Sequence, residues 1–595
     1  MDSDEPRPKQ PLNPFSISML ACLVGGVAGL GAVVFRAMIS FFHNLLFSGK
    51  LSFFYEANLH TPPGPWGPYI ILVPIVGAAG VAYLVSNFAP EAKGHGVPEV
   101  MDTIYYNRGI IRPVVAVVKS VASALSIGSG GSIGREGPII QIGSSFGSTL
   151  GQWISMPAWQ RITLLAAGTG GGIAATFNTP IGGLLFAIEI MLQEVSVRTL
   201  VPVAISTAIA TYVGQVFFGT YPAFRIPTLE TPYFVLTNPV VLLSYVGLGI
   251  LTGVASALYI RSIYKFEDIF DNRIGGSYYK KHVLGMLPVG LVIYGCMHFF
   301  GHYYVEGVGY AAIQDVLTGH LASVYLMVLL FFLKLLVTSL TLGSGASGGI
   351  FSPALYLGAT LGGAYGILLR HVFPGLDISF PAFAVAGMAG VVGGATGATM
   401  TAIVMIFEMT LDYNVVLPLT ITVALAYGIR WTLCRETIYT LKLARRGHYM
   451  PQALQTDFQY LKRARQIMES RIAAIAASTT LSEFAQLTIG QTTVDYFMVI
   501  EDHTLIGTVS IRAALNALDE SAGKVSLAEI ANRNLTIVSE DATFVQILRT
   551  MRDRQASVAV VSTGSDPFAI ENVQGIITKQ QIADSIAQGI EFLTE

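Results

Sequence analysis

The sequence carries little charge. Of its 595 residues, 12% are charged and 52% are hydrophobic, whereas soluble globular proteins contain about 25% charged residues. A chain with so few charges does not expose most of its surface to water, so we predict an integral membrane protein. The formal net charge of −2 also excludes the basic surface that nucleic-acid binding requires. The expected partner is therefore the lipid bilayer and no nucleic acid.

Cysteine is almost absent as well. Cys22, Cys296 and Cys434 lie far apart in apolar stretches, and none of the three has a CxxC partner or a Cys or His neighbour at metal-ligand spacing. We expect neither a disulfide framework nor a metal site. No Ser/His/Asp or Cys/His arrangement for nucleophilic catalysis is apparent, so we expect no enzyme and no cofactor.

Apolar stretches fill most of the chain from Phe15 to Leu433. A simple spanning helix needs about 20 apolar residues, but several stretches are shorter and are interrupted by glycine-rich motifs. Helices that end inside the membrane are tolerated only where their backbone is buried in protein or lines a polar cavity, and such interruptions are typical of transport sites. We assign residues 1–13 to a polar N-terminal tail and residues 14–446 to a transmembrane domain.

A soluble domain is predicted after the last apolar stretch. Six basic residues mark the change in composition: Lys442, Arg445, Arg446, Lys462, Arg463 and Arg465. Such a cluster indicates that this end of the membrane domain faces the cytoplasm. We expect residues 447–465 to be a linker. Within residues 466–595, residues 475–485 match residues 538–548, and a β-rich run follows each copy. Two such α/β units resemble a tandem pair of CBS domains.

Three glycine-rich motifs interrupt the apolar stretches, at residues 94–100, 131–143 and 343–354. In each, glycines allow close approach of the backbone, and a proline stands near the start of the next helix. The N–H groups at a helix start attract anions, because the helix dipole adds about half a positive charge there. The motifs therefore predict an anion site. The alternative is that these glycines only pack membrane helices closely.

The third motif also matches the GxGxxG pattern of dinucleotide-binding proteins, with Gly343, Gly345 and Gly348. It follows a transmembrane stretch instead of a soluble strand, and no acidic residue stands in a βαβ context. Dinucleotide binding is therefore not expected.

Four sequence strings together resemble the CLC family of chloride channels and chloride/proton exchangers: GHGVPE, GSGGSIGREGPIIQIG, GGIFSPA and IYTLKLARRG. With the CBS pair, the resemblance covers nearly the whole chain. It implies an all-α polytopic membrane domain built from two inverted halves, about residues 14–222 and 239–446, followed by the α/β CBS domains. It also implies a homodimer in which each subunit has its own pore.

The resemblance assigns roles to individual residues. Glu136 matches the external gating glutamate, whose carboxylate competes with the anion, and Tyr439 matches the tyrosine whose hydroxyl coordinates the anion. The other anion-binding positions that it implies are Gly96, Val97, Arg135, Gly137, Ile350 and Phe351. Two alternatives stay open. Glu136 could be a structural partner of Arg135, and Tyr439 could be an aromatic anchor at the membrane surface.

His95 departs from the family pattern. The usual chloride signature has a serine at this position, and its hydroxyl contacts the anion. A neutral imidazole donates one hydrogen bond, and a protonated one would add a full positive charge. Chloride selectivity is therefore less secure than the fold. Alternatively, His95 turns away from the pore and the backbone of Gly96 and Val97 binds the anion.

The position of the internal proton relay also differs. Exchangers of the family commonly carry two adjacent glutamates after a sequence like FNTPIGG, whereas this chain has Glu189 followed by Ile190. Isoleucine cannot carry a proton, which favours channel-like conduction. Some exchangers lack a titratable residue here, and Glu189, Glu194 or a water chain could substitute.

The CBS pair lacks the usual nucleotide ligand. In CBS domains an aspartate often contacts the ribose three residues after a Ser or Thr at the end of the last strand. The matching positions hold Ala513 and Gln581. Neither is a carboxylate, so we do not expect strong binding of adenine nucleotides. A structural or dimer-stabilising role is the alternative.

We expect voltage- and pH-gated chloride transport that is channel-like or weakly coupled to protons. The first alternative is a chloride/proton antiporter whose relay lies elsewhere than position 190. A CBS-regulated cation transporter would need acidic clusters in its membrane segments, whereas the glycine-rich motifs present N–H groups. A nucleotide sensor with a membrane anchor would not need a membrane domain of this size.

Overall fold

The computed structural model describes residues 11–154, 156–192, 196–221, 223–224, 239–448, 463–470, 472–488, 496–521, 525–542, 544–563, 566 and 568–584. The chain divides into two compact units, Met1–Met450 and Pro451–Glu595. Most of the predicted tail (1–13) and linker (447–465) lies outside the described residues, as does Glu194, one of the possible proton relays.

The first unit is helical. Its first eight α-helices are α1 (Pro14–His43), α2 (Leu72–Phe88), α3 (Val97–Tyr105), α4 (Pro113–Gly128), α5 (Glu136–Trp153), α6 (Ala158–Phe177), α7 (Pro180–Phe186) and α8 (Val197–Phe218). The next eight are α9 (Pro239–Asp268), α10 (Tyr278–Phe300), α11 (Tyr310–Thr318), α12 (Val324–Gly343), α13 (Phe351–Val372), α14 (Phe380–Thr396), α15 (Thr399–Thr410) and α16 (Val416–Leu433). A short last helix, α17 (Thr440–Arg445), ends the unit.

Eight helical segments in the described part of the chain are long and apolar enough to cross a membrane. The protein is therefore an integral multi-pass membrane protein. Helices α3, α7 and α11 have only nine, seven and nine residues, which is too short to span a bilayer. These short helices correspond to the predicted helices that end inside the membrane domain.

The two series of eight helices repeat one another. Residues Gly128–Pro138 between α4 and α5 share the pattern GSGxSxGxxxP with Gly343–Pro353 between α12 and α13. Hydrogen bonds cross between the two copies in matching pairs. In one pair Ser123 on α4 bonds to Ser347 (2.9 Å), and in the other Thr338 on α12 bonds to Ser132 (2.9 Å). Each half thus fixes the glycine-rich motif of the other.

Glycines let the central helices pack backbone to backbone in both halves. Gly143 on α5 faces Gly168 on α6, and Gly358 on α13 faces Gly387 on α14. A Cβ atom built on any of these four would overlap the carbonyl oxygen of the facing glycine. Small residues at such contacts are typical of membrane helices.

The second unit contains two similar three-stranded sheets. The first is formed by β1 (Ala473–Ala476), β2 (Tyr496–Glu501) and β3 (Thr504–Ser510), and the second by β4 (Leu535–Val538), β5 (Val558–Ser562) and β6 (Val573–Thr578). In each sheet the first strand is parallel to the second and the second is antiparallel to the third. The helices are α18 (Ala464–Ile467), α19 (Leu481–Thr488), α20 (Ile511–Ser521), α21 (Leu527–Ile530) and α22 (Phe544–Asp553). The internal repeat in the sequence is therefore a repeat of one α/β unit.

Local hydrogen bonds engage the positions that matched the ribose contact. The N–H and the hydroxyl of Thr578 both donate to the Gln581 side-chain oxygen (2.8 and 2.6 Å). In the first repeat the Ala513 N–H donates to the Ser510 hydroxyl (3.1 Å). Gln581 thus caps the chain after β6 and offers no carboxylate to a ribose.

Candidate anion-binding site

The three glycine-rich motifs meet at one place. Gly94 forms a parallel bridge with Ser347, and Gly134 forms an antiparallel bridge with Gly349. In the second bridge the Gly134 N–H donates to the Gly349 carbonyl (2.7 Å), and the Gly349 N–H donates back to the Gly134 carbonyl (2.6 Å). Each motif leads into a helix, so the starts of α3, α5 and α13 lie together. An anion site built from helix N-termini requires this arrangement.

Two of these positions require glycine for steric reasons. Gly96 has φ +81°, a conformation that residues with a Cβ rarely adopt. A Cβ built on Gly137 would overlap the His95 carbonyl oxygen. The motif at residues 94–100 and the start of α5 are therefore in direct backbone contact.

Glu136 occupies the start of α13. Its residue is 1% exposed, and its carboxylate accepts hydrogen bonds from the Ser352 hydroxyl, the Ser352 N–H (3.3 Å) and the Tyr310 hydroxyl (3.1 Å). The Tyr310 and Ser352 hydroxyls also contact each other (2.8 Å). The carboxylate thus accepts the hydrogen bonds that an anion at this helix start would otherwise accept.

Arg135 is not the partner of Glu136 among the described residues. Its guanidinium donates to the Thr176 carbonyl (3.2 Å) and lies over the rings of Tyr310 and Phe177, at 5.1 and 5.7 Å from their centroids. The alternative of a structural ion pair with Glu136 therefore has no support in the geometry.

Tyr439 and His95 lie side by side on another side of the site. Tyr439, immediately before α17, is 2% exposed, and His95 is 4% exposed. Their ring centroids are 6.2 Å apart. Among the described residues, the His95 Nδ1 is buried without a hydrogen-bond partner. A buried ring does not suit an anchor at the membrane surface, and His95 faces the same region as Tyr439.

The predicted backbone donors are placed at helix starts, with one difference. Val97 and Phe351 are the first residues of α3 and α13, and Gly96 and Ile350 precede them. The Val97 N–H, however, already donates to the His95 carbonyl (3.0 Å). It is engaged within its own loop in this structure.

The sequence model described as "Voltage gated chloride channel" matches residues 77–430, more than half of the chain. The chain belongs to the CLC family. Sequence models of the CBS domain match residues 464–520 and 527–588. In sequence order, the chain therefore consists of a CLC membrane domain followed by a tandem CBS pair.

Several characterised CLC proteins are similar to this chain. The H(+)/Cl(-) exchange transporter ClcA of Salmonella arizonae is 32% identical over 438 residues, which are 73% of this chain and 89% of that protein. The crystal structure of a slow cyanobacterial Cl−/H+ antiporter is 25% identical, covers 73% of this chain and 99% of its own, and has a TM-score of 0.63. A eukaryotic CLC transporter structure covers 95% of this chain and 98% of its own, with a TM-score of 0.60. At 20% identity that last likeness shows the fold alone.

Two buried lysines support the CLC site, although the sequence reasoning did not single them out. The Lys119 ammonium on α4 donates to the carbonyls of Ala92 (2.9 Å) and Gly94 (2.6 Å). In the second half the Lys334 ammonium on α12 donates to the carbonyls of Val305 (3.0 Å) and Gly307 (2.9 Å). Each lysine therefore fixes the loop before a short helix, α3 or α11. A lone lysine within an apolar stretch was the signal available in the sequence.

Glu189, a candidate for the proton path, caps a helix. Its carboxylate accepts from the N–H groups of Met400 (3.2 Å) and Thr401 (2.8 Å) and from the hydroxyls of Thr399 (3.2 Å) and Thr401 (2.8 Å), all at the start of α15. In the matching place of the other half, Glu408 accepts from the N–H groups of Ile181 (3.1 Å) and Gly182 (2.6 Å) at the start of α7. The two glutamates are thus reciprocal caps.

Ile190 lies in a π-helical turn, Ala187–Leu192, that follows α7. It is 5% exposed and belongs to the main apolar core. The next position after the capping glutamate is therefore a packed aliphatic side chain, and it offers no proton-binding group.

Removal of either cap is expected to lower stability. Glu189→Ala leaves several N–H and hydroxyl donors at the start of α15 without an acceptor, at a cost of about 1–3 kcal/mol. Glu408→Ala, which removes fewer bonds, should cost less. The thermal unfolding midpoint of the purified protein in detergent measures both. Glu91→Ala is the matched control, because Glu91 only pairs with Arg112 at the surface, where such pairs are worth about 0–1 kcal/mol. Equal midpoints for the three variants would contradict the capping role.

A polar vestibule opens beside Glu136. This cavity of about 150 Å³ is lined by Arg36, Glu56, Asn58, Arg135, Phe177, Asn178, Gln215 and Tyr310, among others. Tyr310 connects it to the carboxylate of Glu136. The vestibule is therefore a polar cavity next to the hydrogen-bond partner of Glu136.

Proposed function

We propose that this protein exchanges chloride for protons across a membrane, with one transport pathway in each subunit of a homodimer. The observation that carries the proposal is the buried carboxylate of Glu136 at the start of α13. Its oxygens accept hydrogen bonds from the Ser352 N–H, the Ser352 hydroxyl and the Tyr310 hydroxyl. A negatively charged carboxylate and an anion cannot share these donors.

Protonation resolves this competition. A proton on Glu136 removes its charge and its preference for the helix start, so the side chain can leave and an anion can bind there. Release of the proton restores the charged carboxylate, which returns to the helix start and expels the anion. The carboxylate and the anion therefore alternate at one place, and each change of occupant is linked to the binding or release of a proton, which couples the two ions. His95, whose buried Nδ1 has no partner among the described residues, and the adjacent Tyr439 are proposed to bind the anion deeper in the pathway.

Exchange replaces channel-like conduction as the preferred function. Ile190 favoured a channel, because an aliphatic residue stands where exchangers commonly have a proton relay. The relatives named above favour the alternative, since ClcA and the cyanobacterial protein are both described as antiporters or exchangers. The proposal therefore requires a proton route that does not use residue 190.

We further propose that the C-terminal CBS pair is cytoplasmic and that the vestibule opens on the outer side. The basic residues Lys442, Arg445 and Arg446 support this orientation. A structural or dimer-stabilising role of the CBS pair is proposed, because Ala513 and Gln581 replace the carboxylates that a ribose would need. Transport of cations is disfavoured, since the acidic group at the described site, the Glu136 carboxylate, is met there by N–H and hydroxyl donors.

Proton movement driven by chloride tests the proposal. The purified full-length protein is reconstituted into vesicles with a chloride gradient and a potassium/valinomycin voltage clamp, and a pH electrode follows the outside solution. We expect protons to move against the chloride flux, with a reversal potential that depends on both gradients.

A reversal potential that follows chloride alone, with no response to a superimposed pH gradient, would mean channel-like conduction. Absence of any chloride dependence would overturn the anion assignment as well. Protein-free vesicles give the leak of both ions.

A further inference from the structure

A second polar cluster lies near the vestibule, at the end of α1. The Thr61 hydroxyl donates to the Glu306 carboxylate and lies 3.2 Å from the His43 Nε2. The His43 Nε2 and the Glu306 Oε1 are 3.8 Å apart. A histidine and a glutamate are therefore joined through one hydroxyl, between α1 and the loop before α11.

The cluster is buried but not fully hydrogen-bonded. His43 is 4% exposed, and its ring lies between those of Tyr55 (3.9 Å between centroids) and Phe47 (4.8 Å). Within the described residues, the His43 Nδ1 and the Glu306 Oε2 are buried without a partner. Buried polar atoms are normally satisfied by protein or by water, so these two require a further ligand such as water or a proton.

A small cavity provides room for water beside both atoms. Its volume of about 20 Å³ is lined by His43, Glu306 and Arg135, among others, and this is space for about one water molecule. The small cavity shares Arg36, Ala57 and Arg135 with the vestibule. The vestibule in turn reaches Tyr310, which donates to Glu136. Space for water therefore adjoins the cluster in the small cavity, and the vestibule adjoins Tyr310, the hydrogen-bond partner of Glu136.

Several charged or titratable groups surround the pair. From α1 comes Arg36, from the loop after α1 come Tyr55 and Glu56, and from the start of α5 comes Arg135. The loop before α11 contributes Tyr303, and α12 contributes the buried Lys334, both of which interact electrostatically with Glu306. His43 and Glu306 share the Thr61 hydroxyl. Each also has one buried polar atom without a partner among the described residues, and both residues line the small cavity.

We propose that His43 and Glu306 form an outer proton-binding site that loads and unloads Glu136. A proton bound by the pair passes to water in the small cavity, then to water in the vestibule, and finally to the Glu136 carboxylate. After this transfer the pair takes up another proton from the outer solution. Release from Glu136 runs in the reverse order and ends with loss of the proton from the pair to the outer solution. The inference deepens the proposed function and rests on it, because it names the outer end of the proton route.

The test compares Glu306→Gln with Glu306→Asp, each in two backgrounds. In the otherwise native protein, Glu306→Gln should slow chloride-driven proton movement about a hundredfold, the lower end of the range for proton transfer by a positioned side chain. It should also flatten the dependence of the rate on outer pH. Glu306→Asp keeps the carboxylate and should retain most of the rate. Glu91→Gln, a surface carboxylate outside this region, is the matched control.

The second background removes the group on which the pair acts. In Glu136→Ala, no proton is carried, so addition of Glu306→Gln should leave the chloride flux unchanged. If Glu306→Gln slows chloride in Glu136→Ala as strongly as in the native protein, the pair is only a structural support of the loop. If Glu306→Gln has no effect in either background, protons reach Glu136 directly from the vestibule. Either result would overturn the inference. The proposed function would still stand if the native protein shows chloride-driven proton movement. Without such movement, both proposals fail.

Discussion

Substitution of Glu136 by alanine is expected to abolish coupled proton movement and leave chloride flux in place. The physical reason is that the carboxylate is both the proton carrier and the occupant of the helix start at Ser352. Without it, the Ser352 and Tyr310 donors are permanently free for an anion. Proton flux should fall to the level of protein-free vesicles, and chloride should then move passively down its own gradient. The reversal potential of the variant should follow the chloride gradient alone.

Glu136→Gln is the matched control for side-chain size. It keeps the shape of the protonated glutamic acid but cannot release a proton, so it should behave as an uncoupled chloride pathway. Persistent chloride-driven proton movement in both variants would show that another group carries the proton. Loss of chloride flux in both would mean that the carboxylate supports the fold instead of competing with the anion.

Enlargement of the facing glycines should prevent folding. Gly143→Val and Gly358→Val each place side-chain atoms where the facing glycine presents its carbonyl oxygen. Because the added side chain would collide with the backbone of the facing helix, which cannot move aside as the end of a flexible side chain can, the two helices must separate. Overpacking of this kind costs at least about 1–3 kcal/mol for added methylene groups, and separation of two central helices adds lost packing. We expect little or no monodisperse protein of either variant after extraction in detergent.

Gly295→Ala is the matched control for these glycine variants. Gly295 lies inside α10, and nothing stands within 4 Å of a Cβ built there. Alanine is the better helix former by about 1 kcal/mol, so the control should be expressed at the native level. Normal yields of Gly143→Val and Gly358→Val by size-exclusion chromatography would contradict the close backbone contact.

The sequence predicted the glycine-rich loops of the site better than the side chains that bind Glu136. The glycine-rich motifs are short and local, so each could be recognised alone and matched to a family. The partners of Glu136 could not be found in this way. Ser352 lies inside one of the motifs, but its role depends on a residue 216 positions away in the chain. Tyr310 belongs to no motif, and only the fold brings it to Glu136.

Glu189 and Ile190 show that a motif match can also miss the structural role of a residue. Ile190 was interpreted by comparison with a relay residue, and its lack of a titratable group favoured a channel. The structure shows that its neighbour Glu189 is a helix cap with a twin, Glu408, in the other half. A carboxylate at this place thus has a structural reason to exist that a motif cannot reveal. The GSGxSxGxxxP repeat was a signal of this internal symmetry that the sequence reasoning did not single out.

The same repeat also shows where the two halves of the site differ. The register that aligns Gly134 with Gly349 places Glu136 opposite Phe351 and Arg135 opposite Ile350. Both copies contain the glycines, serines and proline of the pattern, whereas these two positions differ in kind. One copy therefore contributes a carboxylate and a guanidinium where the other contributes two apolar side chains, so the two sides of the site are electrostatically unequal.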